Sequence, residues 1–194
     1  MQTNNSIIEQ TKAWIEQVVI GLQLCPFAAQ PFSNKQIEYI VCHEKDTENQ
    51  LHSLMAALSQ LDNNQEIETS LIIFPEPTLS FENYLDLLEL AHVLMEEYGY
   101  TSTYQLASFH PEYQFENTDS DDASNYTNRS PFPMLHCLRE SSIEKVLQTF
   151  PQPEKIPQNN IQRTQALGTE KMQHILEGIR EITEKNHQED SQYV

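Results

Sequence analysis

The chain has 194 residues, 38% of them hydrophobic, and a formal net charge of −18, which is long enough for one well-buried core. No Lys or Arg occurs between Lys45 and Arg129, an interval that holds 16 Asp and Glu, so a nucleic-acid backbone or an anionic membrane surface would meet a repulsive field. Nucleic-acid and membrane partners are therefore not expected, and no apolar run approaches the ~20 residues of a membrane span.

In chain order, residues 6 to 22 place Ile8, Ile15, Val18, Val19 and Leu22 at helical spacing, with Ser6 and Glu9 as a capping box. Gly21 and Pro26 end this helix near 22 to 25, leaving 26 to 35 as loop. Residues 36 to 42, QIEYIVC, read as a strand, and 46 to 61 as a helix capped by Asp46 or Thr47. A buried strand is expected at 69 to 74, closed by Pro75 and Pro77. Ser80 can cap a largely buried helix over 81 to 98, whose face carries Phe81, Leu85, Leu88, Ala91, Leu94 and Met95 and is broadened by Leu87, Leu90 and Val93. Gly99 follows as its C-cap, and 103 to 109 supply a third strand.

Residues 116 to 130 are turn formers in a long loop. Pro131 and Pro133 fit a helix start, which makes 134 to 140 a short helix, and Ser141 with Glu144 opens another to about 149. A connector (151 to 157), helices at 158 to 167 and 169 to 185 separated by Gly168, and a polar tail at 186 to 194 complete the chain. The fold class read from this order is α/β: a single domain over 1 to 185 with a small, mostly parallel sheet of about three strands, flanking helices and a helical C-terminal region. A mixed, ferredoxin-like sheet is the alternative. Ligands of open parallel sheets gather at the carboxyl ends of strands, here Cys42, Phe74 and Phe109.

Three cysteines (Cys25, Cys42 and Cys137) without CxxC, and no signal-like N-terminus, point to a reducing cytoplasm. Cys42 and Cys137 read as packing residues. Cys25 is either a buried thiol or a nucleophile helped by a histidine; LCPF resembles a thioredoxin-type site but has no resolving cysteine. Of seven histidines, His110 ends the third strand ahead of Pro111, and His136 follows Pro131 and Pro133; these two are the acid/base candidates. Arg129 and Arg139 are suited to hold an anion, or to pair with local acids such as Asp119, Asp121 and Asp122. A metal held by His110, His136 and Cys25 has suitable residue types but no metal-binding spacing, and no nucleotide-cradling loop is present, so no cofactor is assigned.

GLQLCPFA (21 to 28), SFHPEYQFE (108 to 116), NYTNRSPFPMLHCLRE (125 to 140) and a later IPQNN together resemble an uncharacterised bacterial domain-of-unknown-function family, also seen in some plants and protists. The resemblance covers residues 6 to 168 and brings no established activity. It implies that Cys25, His110, Tyr113, Asn125, Asn128, Arg129, Ser130, His136 and Arg139 occupy the family's polar motif positions. The function expected is an enzyme with a pocket at the end of the third strand: His110, His136 and Cys25 would be catalytic, and Tyr113, Asn125, Asn128, Arg129, Ser130 and Arg139 would hold a small anionic molecule. Two alternatives stand beside it, a non-catalytic binding or regulatory module and a metal-dependent hydrolase.

Overall fold

A computed structural model describes residues 2–75 and 79–182. The α/β fold is built on one sheet of four strands, β1 (Ile37–Val41), β2 (Thr69–Ile73), β3 (Tyr104–Phe109) and β4 (Met134–Arg139), in the order β1-β2-β4-β3. β1 and β2 are parallel, with Ile37 opposite Thr69. β4 lies between β2 and β3 and runs antiparallel to both, so the sheet is mixed.

The principal correction to the expected fold is β4. Its residues were expected to form a short helix behind Pro131 and Pro133. They alternate instead: Leu135 and Cys137 pack into one core, while Met134 packs into the core of the opposite face. Filling the slot between β2 and β3 satisfies the ladder groups of three strands at once, and this outweighs the helical signal of the two prolines.

Helices α1 (Asn4–Trp14), α2 (Ala29–Ser33), α3 (Thr47–Asn63), α4 (Phe81–Glu97), α5 (Glu140–Thr149), α6 (Ile156–Leu167) and α7 (Thr169–Arg180) complete the described part; the tail at 186 to 194 lies outside it. One face of the sheet is covered by Leu54, Leu58 and Leu61 of α3 and Tyr84, Leu87, Ala91 and Met95 of α4. The other is covered by Ile7 and Trp14 of α1 and Met172, Leu176 and Ile179 of α7. The buried stripe of α4 is thus Tyr84-Leu87-Ala91-Met95: Leu87, Ala91 and Met95 were expected on the apolar face and Tyr84 was not, while Leu85 is 42% exposed. Caps follow the sequence at Asp46 and Ser80, whose side chains accept from Asn49 and Asn83 N–H. At α1 the cap is Thr3, not Ser6.

The first helix does not continue as α-helix to residue 22. Ile15–Ile20 is π-helical, with the bonds of Gly21 N–H to Glu16 O (2.9 Å) and Leu24 N–H to Val19 O (2.8 Å) spanning five residues. π-turns are rare and recur beside functional sites. Gly21 is required at its exit, because a Cβ there would stand 2.4 Å from Gln17 O, a backbone atom that cannot move away alone.

Tyr84 ties the layers together. Its hydroxyl donates to Met134 O (2.7 Å) and accepts from Phe109 N–H (3.0 Å), joining α4 to the facing ends of β3 and β4. The side chain is fully buried, so Tyr84→Phe leaves two buried backbone groups unpaired and is expected to cost about 1–3 kcal/mol, readable as a lower urea midpoint at unchanged m-value.

Candidate functional site

The polar motif after β3 folds largely upon itself. Asn125, fully buried, accepts from Phe115 N–H (3.0 Å) and the Thr118 hydroxyl (2.9 Å) and donates to Asp119 O (2.8 Å). Asn128 donates to Ser108 O, and Ser130 to Phe132 O. Arg129 donates from Nε to Tyr113 O (3.0 Å) and from Nη2 to Ser120 O (2.7 Å), with its guanidinium 4.7 Å from the Tyr126 ring centre. Tyr113 packs against Phe81 and Phe115. These side chains do for an irregular loop what a ladder does for a strand.

His110 belongs to the same construction. It is 2% exposed; Nε2 lies 3.0 Å from Leu79 O, which can only accept, and Nδ1 accepts Glu112 N–H at 3.0 Å. Both ring nitrogens are therefore occupied, and burial pushes the pKa below its ordinary value. Arg139 points elsewhere. Its guanidinium donates to Leu61 O, Asn64 O and Ile67 O, the carbonyls at and beyond the C-terminus of α3, and to the Tyr104 hydroxyl.

His136 and Cys25 meet a different environment. Both line a cavity of about 300 Å3 on the α1 face of the sheet, together with Trp14, Ile15, Val19, Phe27, Ile37, Thr69, Leu71, Phe109, Leu138 and Ile143, with Glu68, Arg139 and Lys145 also in its wall. The carboxyl ends of the parallel pair do border a cavity of about 310 Å3, lined by Glu44, Thr47, Phe74 and Asn83 among others, but it includes none of the nine motif residues.

Hydrogen-bond accounting fixes the state of His136. The Thr69 hydroxyl has one proton and donates it to Cys137 O at 2.5 Å, so at 2.6 Å it must accept from His136 Nε2–H. Nδ1 is then the unprotonated nitrogen, and no group among the described residues donates to it. Burial drives the pKa from an ordinary 6.5 down to about 4, so the ring is a neutral acceptor at physiological pH. Burial also pushes the Cys25 thiol up, offset in part by the N–H groups of Phe27 and Ala28 at the sulfur. Cys25 remains a thiol at neutral pH.

The comparisons with known proteins bear on this arrangement. The model of a family described as "Protein of unknown function (DUF1415)" matches residues 6–174. The chain belongs to the DUF1415 family. Neither a curated protein nor a solved structure matches it. The span matched by DUF1415 takes in all nine motif residues and the whole sheet, and the fold described above carries them to two places. His110, Tyr113, Asn125, Asn128, Arg129 and Ser130 lie in or beside the self-bonded loop; Cys25, His136 and Arg139 reach the wall of the cavity.

Sequence reasoning missed Trp14 and Thr69, and named Phe109 only as the end of the third strand. Trp14 carried a signal as the one tryptophan in the chain. It is 2% exposed, its Nε1–H donates to Arg129 O at 3.0 Å, and its ring meets Phe109 edge-on at 5.0 Å, so it joins the loop to the cavity wall. Thr69 carries no sequence signal, since its role exists only through its register opposite Leu138. Among the described residues no helix is long and apolar enough to cross a membrane, and no group of three His, Cys, Asp or Glu could hold a metal ion.

Proposed function

We propose that the protein is a binding module for a small, mostly apolar molecule that carries one hydrogen-bond donor, seated in the cavity beneath α1. The observation that carries this is the uncommitted nitrogen of His136, a neutral acceptor in a largely apolar wall that includes Trp14, Phe109, Ile37 and Leu71 and has Glu68, Arg139 and Lys145 elsewhere in it. A cavity of about 300 Å3 lies at the small end of ligand pockets, and an apolar wall with one or a few placed polar groups is their usual form. A ring with a pKa near 4 is a weak base and a thiol with a raised pKa is a weak nucleophile; both facts favour recognition over proton transfer. The anion-holding role expected of Arg129 and Arg139 competes with the main-chain carbonyls both already bind. Three free cysteines fit a reducing, cytoplasmic setting.

The enzymatic reading stays as the second one, on the observation that Cys25 shares this cavity with an imidazole and has two N–H groups at its sulfur. In that case Cys25→Ser would abolish turnover; for a binding module it alters one residue of the cavity wall and changes ligand affinity only modestly.

The test compares 4-ethylphenol with ethylbenzene by calorimetry or ligand-observed NMR. The wild-type protein should prefer the phenol by about five- to tenfold, the worth of one net hydrogen bond. His136→Phe keeps an aromatic ring and leaves Thr69 bonded to Cys137 O; it should still bind ethylbenzene but lose or reverse the preference. Equal preference in both proteins, or binding of neither compound, contradicts the proposal.

A further inference from the structure

A second cavity, of about 420 Å3, lies beyond the Cys25 wall and is lined by Ile20, Gln23, Cys25, Pro26, Ala29, Phe150, Ile156, Asn159, Asn160 and Arg163. It gathers two sequence motifs that the first cavity leaves partly or wholly unused: Cys25-Pro26 of LCPFA, and Ile156, Asn159 and Asn160 of IPQNN. The π-helical segment serves both cavities, presenting Ile15 and Val19 to the first and Ile20 to the second.

Three features define its chemistry. Asn160 Nδ2 donates to Leu24 O at 2.6 Å; a carbonyl only accepts, so the amide orientation is fixed and Oδ1 is the other atom. That Oδ1 is buried and has no partner in the protein, the one such side-chain atom among the described residues. A buried acceptor left unpaired is costly, and a small turn of the side chain that brings it to a ligand N–H relieves that cost. Next to it, Arg163 uses Nη1 on Gln23 O and Nη2 on Gln23 Oε1, which leaves further N–H groups of the guanidinium for an anion. Ile20, Phe150 and Ile156 supply an apolar side to the wall, and Gln23 and Asn159 add further amide groups. Among the described residues no Asp or Glu lines the cavity, so an ammonium group would find no counter-ion in that wall.

We infer that this second cavity binds an N-acylated amino acid with an apolar side chain. The neutral amide N–H bonds Asn160 Oδ1, the carboxylate meets Arg163, and the side chain packs on Ile20, Phe150 and Ile156. The absent acid sets the selectivity: an N-acyl amino acid fits and the free amino acid, which must bury an ammonium, does not. The two cavities share Cys25, but His136 lines only the first.

The probes are N-acetyl-L-leucine and L-leucine, titrated into the isotopically labelled full chain and followed by backbone amide shifts. N-acetyl-L-leucine should shift amides confined to 20–29 and 150–163 and bind at least about tenfold more tightly than L-leucine. Arg163→Gln should weaken it about tenfold and Arg163→Lys should recover much of the loss, which separates charge from the tie to Gln23. Asn160→Leu, checked for an unchanged fold by its amide spectrum, should weaken it as well. His136→Phe should leave N-acetyl-L-leucine affinity untouched whatever it does to 4-ethylphenol. Equal affinity for the two probes, shifts outside those segments, or an Arg163→Gln protein that binds as the wild type does would overturn the inference; failure of 4-ethylphenol alone would leave it standing.

Discussion

Replacing Arg139 by Met should lower the unfolding free energy by about 3 kcal/mol. α3 ends at Asn63 without a left-handed glycine, and Asn64 is extended, so the last carbonyls of the helix have no local cap. Arg139 supplies one from the end of β4, donating to Leu61 O, Asn64 O and Ile67 O, while the Tyr104 hydroxyl it also touches donates to Asp62 at 2.6 Å. Met keeps the unbranched apolar stem of the side chain and removes the charged guanidinium with its donors and its contact with the Tyr104 ring. Urea unfolding should show a lower midpoint at the same m-value, and Arg139→Lys should recover part of the loss, because one ammonium cannot fan out to three carbonyls. A loss below about 1 kcal/mol would mean that water caps the helix equally well.

The second large effect is a pH dependence. The folded pKa of His136 is about 4 against an ordinary 6.5, so between these values the unfolded chain binds the proton and the native protein does not. The contribution is fully present above about pH 6.5, is lost as pH falls toward 4, and amounts to at most about 3 kcal/mol. His110, also depressed, acts in the same direction. The clean measurement is the difference between wild type and His136→Phe, because His110 and the carboxylates are common to both. Between pH 7 and 4.5 the wild type should lose about 2 kcal/mol more than the variant. Parallel pH profiles would show that His136 titrates normally in the native state.

Much of the fold was legible because local and tertiary preferences agreed. β1, β2 and β3 are short apolar or alternating runs bounded by polar or proline residues, and α3 and α4 carry their caps at Asp46 and Ser80. β4 was not legible. Two prolines ahead of MLHCLR look the same whether they start a helix or an extended segment, and what decides is a vacant position between β2 and β3 that no local pattern records. The stripe on α4 has a similar origin: a helix with apolar residues on most faces leaves the choice of buried face to its neighbours.

The candidate site divides along a related line. Asn125, Asn128, Arg129 and Ser130 stood out because polar residues of mixed type in one loop serve ligands, but the same donors and acceptors serve a backbone that has no ladder to join. Residue type cannot separate the two uses. The pairing of Cys25 with His136 depends on two segments more than a hundred residues apart meeting on one face of the sheet, and on Thr69 fixing which nitrogen stays open. Only the assembled sheet makes that arrangement visible.

The central claim is that His136 is a neutral ring with Nε2 protonated and Nδ1 open toward the cavity. Long-range proton–nitrogen correlation of the histidine side chains at pH 7 tests it directly. His136 should show a protonated Nε2 and an unprotonated Nδ1 whose resonance moves toward the hydrogen-bonded range on addition of 4-ethylphenol. An imidazolium, the opposite tautomer, or an Nδ1 resonance that ignores the ligand would contradict it.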